Sequence, residues 1–85
     1  MSIVKTSSIQ FNITLGEVDR NLTKVGQALR RVAAQGVRLT VLPEMWSGGY
    51  AYRKLPELAA ETPRVLDQVC VWSQELGLVV VGSLP

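Results

Sequence analysis

Apolar segments alternate with helical patterns along this chain, and this alternation constrains its fold more than any other feature. The apolar segments are short, whereas the segments between them space their apolar residues three or four apart, as an amphipathic helix does. A strand–helix–strand order of this kind gives neighbouring parallel strands joined by helical crossovers. The sequence therefore predicts an α/β unit of order β-α-β-α-β, with strands at 3–12, 38–42 and 78–81 and helices at 20–35 and 63–76.

The first helical segment has an apolar face and recognisable ends. Asp19 is a candidate N-cap with Asn21 as a competing one, and Gly36 suits the C-terminal end. The residues predicted to face the core are Leu22, Val25, Leu29, Val32 and Ala33. The strand that follows is apolar apart from Thr40, which is typical of a parallel strand covered on both faces.

The second helical segment has a clear start signal at Thr62 and Pro63. Threonine is a good N-cap, and proline is tolerated at the first helical position because its missing N–H needs no partner there. Residues 46–61 are then expected to form a long connection that contains at most a short helical turn around 55–60.

The apolar face of this second helix is predicted from its spacing. Its members are Leu66, Val69, Cys70, Ser73 and Leu76. Cys70 is thus expected in the core as a small hydrophobe, since a chain without histidine offers that thiol no activating imidazole. Trp72 lies off this face, where it either covers the outside of the domain or contacts a partner.

The composition excludes several classes of protein. The 85 residues are 47% hydrophobic and 19% charged, which is ordinary for a globular domain. One cysteine and no histidine exclude an internal disulfide and the common zinc sites. The net charge of +2 comes from scattered basic residues, not from the clustered stripe that nucleic-acid binding needs.

Signals for targeting and for nucleotide binding are also missing from the sequence. The longest apolar stretch, Leu76–Gly82, is too short to span a membrane, and serine and threonine interrupt the N-terminus by position 6, unlike a signal peptide. We therefore expect a cytoplasmic protein. Residues 12–17, after the first strand, have neither a GxGxxG spacing nor a P-loop lysine, so no cofactor is predicted.

The predicted sheet has two open edges. These edges lack protection, because the strands carry few charges and no internal proline. A domain of 85 residues without a disulfide or a metal is also marginally stable by itself. We therefore predict that residues 1–85 are the N-terminal part of a single larger α/β domain.

A carboxylate follows the second strand directly. The strand is apolar, Pro43 ends it, and Glu44 comes next. Because ligands of open parallel sheets bind outside the carboxyl ends of the strands, Glu44 is a candidate catalytic residue. The alternative is an ordinary acid on a surface turn.

Two aromatic residues flank the glycines of the loop that carries Glu44. Trp46 and Tyr50 either wall a small substrate pocket above the strand end or anchor the loop to the core. Arg53 and Lys54 follow, and either can approach Glu44 in space, although solvated loop charges are the simpler interpretation.

The order of these residues carries a family resemblance. It runs through Ile9-Gln10-Phe11, Asp19, Asn21-Leu22, Gly36, Leu42-Pro43-Glu44, Gly49-Tyr50 and Leu78–Gly82. In this order the whole chain resembles the N-terminal portion of the nitrilase superfamily of carbon–nitrogen hydrolases. The Leu-Pro-Glu triplet is its most specific element, and the segment from Met45 to Tyr50 looks most like the amidase branches, including omega-amidase-like enzymes.

The resemblance implies a fold and a mechanism. Members of the superfamily are α-β-β-α sandwiches that hydrolyse amides or nitriles through a Glu-Lys-Cys triad, with no cofactor. Glu44 matches the glutamate of this triad, the general base that takes the proton of the cysteine thiol before the sulfur attacks the substrate carbon. The lysine stabilises the negative charge that builds on the substrate heteroatom.

The lysine and the cysteine of the triad have no match in this sequence. Lys54 lies in the loop after the glutamate strand and Cys70 lies on the second helix, and neither position corresponds to the family's pattern. The resemblance thus implies a homo-oligomeric hydrolase of a small-molecule amide or nitrile. This chain carries only the base of that hydrolase and is expected to be inactive alone.

A non-enzymatic module is the alternative to a hydrolase. A stand-alone β-α-β-α-β unit would bury its open sheet edges or apolar helix faces by oligomerising. Such a module predicts a specific oligomer without thiol reactivity at Cys70, whereas a hydrolase predicts a lysine strand and a cysteine turn beyond Pro85.

Overall fold

The computed structural model describes residues 3–85, so Met1 and Ser2, which the predicted domain includes, lie outside the described residues. Within it, three parallel strands and two long helices confirm the predicted small α/β unit of order β-α-β-α-β. The elements are β1 (Thr6–Ser8), α1 (Val18–Ala34), β2 (Leu39–Val41), α2 (Leu55–Leu76) and β3 (Val79–Val81), with a 3₁₀ turn (Tyr52–Lys54) before α2.

The strands pair in the order β1-β2-β3, which places β2 in the middle. Leu39 of β2 lies opposite Thr6 of β1 on one side and Val79 of β3 on the other. Both pairs are parallel, so the carboxyl ends of all three strands lie at the same end of the sheet.

The strand β1 is shorter than the predicted segment of 3–12. Its last backbone hydrogen bond to β2 runs from the Ile9 N–H to the Val41 carbonyl, at 2.9 Å. Pro43, two residues after Val41, has no N–H to donate to β1, so the pairing of β1 with β2 ends there. The proline that places Glu44 beyond β2 therefore also limits the length of the sheet.

Helix α1 has the predicted buried face but begins earlier than predicted. Leu22, Val25 and Leu29 are buried, and Val32 and Ala33 are partly buried. The helix starts at Val18, so Asp19 lies in its first turn, and the N-cap residue Glu17 makes no side-chain capping bond. The side chain of Asn21 is fully buried and does not cap the helix. Gly36 follows the last turn at φ 82, as predicted for a C-terminal glycine.

Helix α2 begins at Leu55 and not at Pro63, so the predicted long connection is wrong. Pro56 lies in the first turn, where a missing N–H is tolerated, and it supplies the start that Pro63 was expected to supply. Pro63 is inside the helix on its exposed side, where it removes one backbone hydrogen bond. The Thr62 hydroxyl, predicted to cap, instead donates to the Pro85 carbonyl at 2.6 Å.

The buried face of α2 agrees with the prediction only in part, since Val69 and Leu76 are partly buried against the core as predicted. Its buried residues are Leu58, Val65 and Trp72. Trp72 packs against Gly26 of α1, where an added methyl group would lie 2.7 Å from the indole ring. Because Gly26 provides this space, the Trp72 indole faces the core, and Leu66, on another side of α2, is exposed. Cys70, predicted to be a core residue, is exposed for the same reason.

Within residues 3–85 the helices cover one face of the sheet and no element covers the other. On the covered face Thr40 is fully buried, and its hydroxyl shares a hydrogen bond of 2.8 Å with that of Ser7. On the opposite face Val41, Val79 and Val81 are exposed by 40%, 58% and 48%. We call these three residues the bare valine face. The prediction that β2 is covered on both faces is therefore wrong for this chain.

Candidate active site

Three loops meet at the carboxyl ends of the strands, where the sequence places Glu44. They are residues 9–17 after β1, residues 42–51 after β2, which we call the Glu44 loop, and residues 82–85 after β3. The Gly16 N–H donates to the Gly48 carbonyl at 2.8 Å and joins the first two loops. The Met45 N–H donates to the Ser83 hydroxyl at 2.8 Å and joins the Glu44 loop to the third.

Glu44 lies in a tight turn at the start of its loop. It is exposed, and the next residue, Met45, has φ 52, a left-handed conformation that residues with side chains adopt rarely. The Gly49 N–H donates to the Met45 carbonyl at 2.7 Å and closes the turn. The backbone is therefore fixed around Glu44, while its carboxylate stays accessible to a ligand.

Tyr50 interacts with Glu44 across this turn. Hydrogen bonding to the Glu44 carboxylate raises the pKa of the Tyr50 hydroxyl above its usual value of 10, and burial and nearby negative charge raise it further. Tyr50 is thus a protonated donor throughout the neutral range. The phenol therefore lies close to the Glu44 carboxylate and stays uncharged beside it.

An apolar groove of about 390 Å³ begins at Tyr50 and runs along the 3₁₀ turn. Its walls include Leu15, Ala51 and Tyr52, whose ring centroid lies 6.1 Å from that of Tyr50. Tyr50 therefore belongs both to the groove and to the surroundings of Glu44, which is the arrangement that a substrate-binding residue needs. Its predicted contact with a substrate stays a prediction.

Trp46 lies inside the core, with 2% of its surface exposed. Its indole packs against Gly82, where an added methyl group would lie 3.2 Å from the ring. Of the two interpretations of Trp46, the structure supports the anchor, because the ring ties the Glu44 loop to the residues after β3. Direct contact between Trp46 and a substrate remains a prediction.

The basic residues after the Glu44 loop do not pair with Glu44. Among residues 3–85, ion pairs form between Arg64 and the two acids Asp19 and Glu61. Lys54 extends along the backbone of Gly16, and Arg53 is exposed. The structure thus agrees with the interpretation of Arg53 and Lys54 as solvated loop charges.

Two residues of the site were missed by sequence reasoning. Ser83 accepts the hydrogen bond from Met45, and Asn21 donates from its amide to the Ser47 carbonyl at 2.8 Å. The sequence carried a signal for Asn21, because a polar residue four positions before Val25 lies on the buried stripe of α1. It carried none for Ser83, whose contact depends on the packing of β3 beside β2.

The part of the chain that the structure describes contains no group of three or more side chains suited to hold a metal ion. Neither of its helices combines the length and the apolar character needed to cross a membrane. Cys70 lies on α2 beside Ser73 and Val80, a different surface from the one that Glu44 occupies.

The geometry supports one kind of chemistry. An exposed carboxylate on a fixed turn, close to the Tyr50 phenol that borders an apolar groove, can take a proton from a nucleophile placed against it. The sequence profile described as carbon-nitrogen hydrolase matches residues 5–85. This chain belongs to the carbon–nitrogen hydrolase family. The predicted membership of the nitrilase superfamily is confirmed.

A curated relative of this carbon–nitrogen hydrolase chain gives the same result. It is a protein named nitrilase from Pyrococcus abyssi (strain GE5 / Orsay), 32% identical over 91 residues. The aligned region covers 95% of the present chain and 33% of the relative. The chain thus spans about a third of the length of the curated relative that it matches.

Proposed function

We propose that this chain supplies the general base, Glu44, of an enzyme that hydrolyses a small-molecule amide or nitrile. The observation that carries the proposal is the position of Glu44 at the carboxyl end of the central strand, on a turn that hydrogen bonds fix from both neighbouring loops. Membership of the carbon–nitrogen hydrolase family supports the class of reaction.

The reaction begins when the Glu44 carboxylate takes the proton from a cysteine thiol, and the sulfur attacks the amide or nitrile carbon. A lysine ammonium stabilises the negative charge that develops on the substrate oxygen or nitrogen. With an amide, the carbon–nitrogen bond breaks, the amine leaves with the proton that Glu44 returns, and a thioester remains. Water then attacks the thioester while Glu44 accepts a proton from that water. The carbon–sulfur bond breaks, the carboxylic acid product leaves, and Glu44 passes its proton to the sulfur, which regenerates the thiol and the carboxylate.

The cysteine and the lysine of this reaction are proposed to lie outside residues 1–85. Cys70 is exposed on α2, and Lys54 lies against Gly16, so neither is placed to act with Glu44. The 85-residue chain alone is then inactive.

Tyr50 is proposed to contact the substrate, and Trp46 to support the wall behind it. The Tyr50 phenol borders both Glu44 and the apolar groove, so a substrate in the groove presents its carbonyl or nitrile carbon near the base. The apolar groove favours substrates with an aliphatic or aromatic body. The amidase branch is proposed from the resemblance of residues 45–50.

Residues 1–85 are proposed to be the N-terminal part of one α-β-β-α sandwich. The bare valine face supports this, because a second sheet packed on it would bury the remaining surface of three half-exposed valines, which is worth about 1 kcal/mol each. We expect the complete protein to be a cytoplasmic homo-oligomer that needs no cofactor. A reading frame that stops directly after Pro85 would contradict the incomplete domain.

A second candidate function is a non-enzymatic module, and the same bare valine face favours it. In this case a second copy of the chain covers the valines, and sedimentation of the 85-residue chain shows a specific dimer or higher oligomer. A monomer, or non-specific aggregates only, would contradict this candidate.

Ammonia release by the full-length polypeptide that contains this chain tests the proposed function. We expect Glu44→Gln to lower kcat on a panel of aliphatic and aromatic amides by about 10²-fold or more, the usual loss for a general base. Glu57→Gln is the matched control, because Glu57 is an exposed acid in the first turn of α2. Near-normal turnover by Glu44→Gln would show that Glu44 is not the general base.

A further inference from the structure

A buried asparagine connects two of the loops that meet at the site. Asn21 lies in the first part of α1 and is completely buried. Its Oδ1 accepts from the Thr14 N–H at 2.8 Å, and its Nδ2 donates to the Thr14 carbonyl at 2.9 Å and to the Ser47 carbonyl at 2.8 Å. Both amide protons are used, so the side chain is fixed in one orientation.

These bonds act on the loop that carries the base. Thr14 belongs to the loop after β1, and Ser47 is three residues after Glu44. The next carbonyl, of Gly48, accepts from Gly16, so two consecutive carbonyls of the Glu44 loop are held by the loop after β1 and by Asn21.

The Glu44 loop needs such external bonds because its own backbone is strained. Met45 has φ 52, and a left-handed conformation in a residue other than glycine is unfavourable and persists only where the surroundings enforce it. Hydrogen bonds to the Ser47 and Gly48 carbonyls hold the chain just after Met45. The Met45 N–H itself donates to the Ser83 hydroxyl. Asn21 is the fully buried side chain among these partners.

Packing alone gives no reason for an amide at this position. Asn21 shares the buried stripe of α1 with Val25 and Leu29, where an apolar side chain would fill the same space. An apolar residue, however, would leave the Thr14 and Ser47 backbone groups without their partner. The amide therefore serves the two loops and not the helix.

We propose that Asn21 is a positioning residue, which fixes the Glu44 loop so that the carboxylate meets the nucleophile at the correct distance and angle. This inference rests on the proposed function. Asn21 is buried behind the loop and acts only through its backbone, so it is not itself a catalytic residue.

The test compares Asn21→Ala with two controls in the full-length polypeptide. We expect Asn21→Ala to lower kcat by about 10²-fold with KM little changed, because a misplacement of about 1 Å has an effect of this size. Val65→Ala destabilises the same core from α2, and Gln27→Ala truncates an exposed amide on the same helix as Asn21. Both controls should keep the wild-type kcat per folded molecule.

The double variant separates positioning from a merely structural role. If Asn21 acts through Glu44, adding Asn21→Ala to Glu44→Gln lowers kcat by less than about 3-fold, since the base is already gone. Asn21→Asp, which keeps the acceptor for Thr14 but places an oxygen against the Ser47 carbonyl, carries the same test if Asn21→Ala does not fold.

The outcomes for the two proposals are distinct. Full activity of Asn21→Ala, or losses that simply multiply in the double variant, would overturn the inference while Glu44 remains the base. A kcat per folded molecule that falls equally in Val65→Ala would overturn it as well. Normal turnover by Glu44→Gln would instead overturn the proposed function.

Discussion

The Glu44 loop and the bare valine face differ in how much of their environment the chain itself supplies. The loop has its anchor and its backbone partners within the chain: Trp46 in the core, Asn21 behind it and Ser83 beside it. Among residues 3–85 no element covers the valines, because both helices pack on the other face of the sheet. The loop that carries Glu44 is thus held by contacts within a unit whose sheet is covered on one face.

Removal of the loop anchor is expected to have the largest effect on stability. Trp46→Ala deletes a buried indole and should lower the free energy of unfolding by about 3–5 kcal/mol, even in the 85-residue chain, because the anchor is internal. Tyr52→Ala, which truncates a 74% exposed aromatic, should cost less than about 0.5 kcal/mol. Urea unfolding measures both. A cost below about 1 kcal/mol for Trp46→Ala would show that the loop is not anchored from within.

A charge on the bare valine face tests the other region. Val79→Asp should cost about 1 kcal/mol or less in the 85-residue chain, where the site is 58% exposed, from lost strand propensity alone. In the full-length polypeptide a covering sheet would make it an unpaired buried charge, and the cost should exceed about 3 kcal/mol. Val79→Thr keeps the branched shape and is the control. Equal small costs in both proteins would mean that this face stays exposed.

The smallest expected effect concerns the Tyr50 hydroxyl. Because Glu44 raises its pKa, Glu44→Gln should shift the titration of Tyr50 down towards pH 10, whereas Glu57→Gln should leave it unchanged. The raised pKa means that the interaction contributes fully below pH 10 and is lost as pH rises through the folded-state value. Absorbance of the phenolate in a Tyr52→Phe background isolates Tyr50. An unchanged titration in Glu44→Gln would place the two side chains apart.

Much of the fold follows from local sequence patterns. The order of the elements, the buried stripe of Leu22, Val25 and Leu29, and the helix-terminating Gly36 and Gly77 depend on neighbours within a few residues. The position of Glu44 after β2 follows in the same way, since Pro43 ends the strand locally.

The errors concern contacts between segments that are distant in the sequence. The inward turn of Trp72 depends on the space at Gly26, so no pattern within α2 could predict it. From the sequence alone, Asn21 is equally compatible with a helix cap and with a buried residue that binds two loops. Only the tertiary structure shows that its amide hydrogen-bonds to Thr14 and Ser47. The start of α2 could not be predicted from the sequence, because Pro56 and Pro63 are both suited to the first turn of a helix.

The central claim is that Glu44 activates a cysteine that residues 1–85 do not contain. Its most direct test is the covalent adduct formed when the full-length polypeptide meets an amide substrate, followed by rapid-quench intact mass and located by peptide mapping. The account predicts an acyl adduct on a cysteine outside residues 1–85, formed about 10²-fold or more slowly in Glu44→Gln than in wild type. An adduct on Cys70, or an equal rate of formation in both proteins, would contradict it.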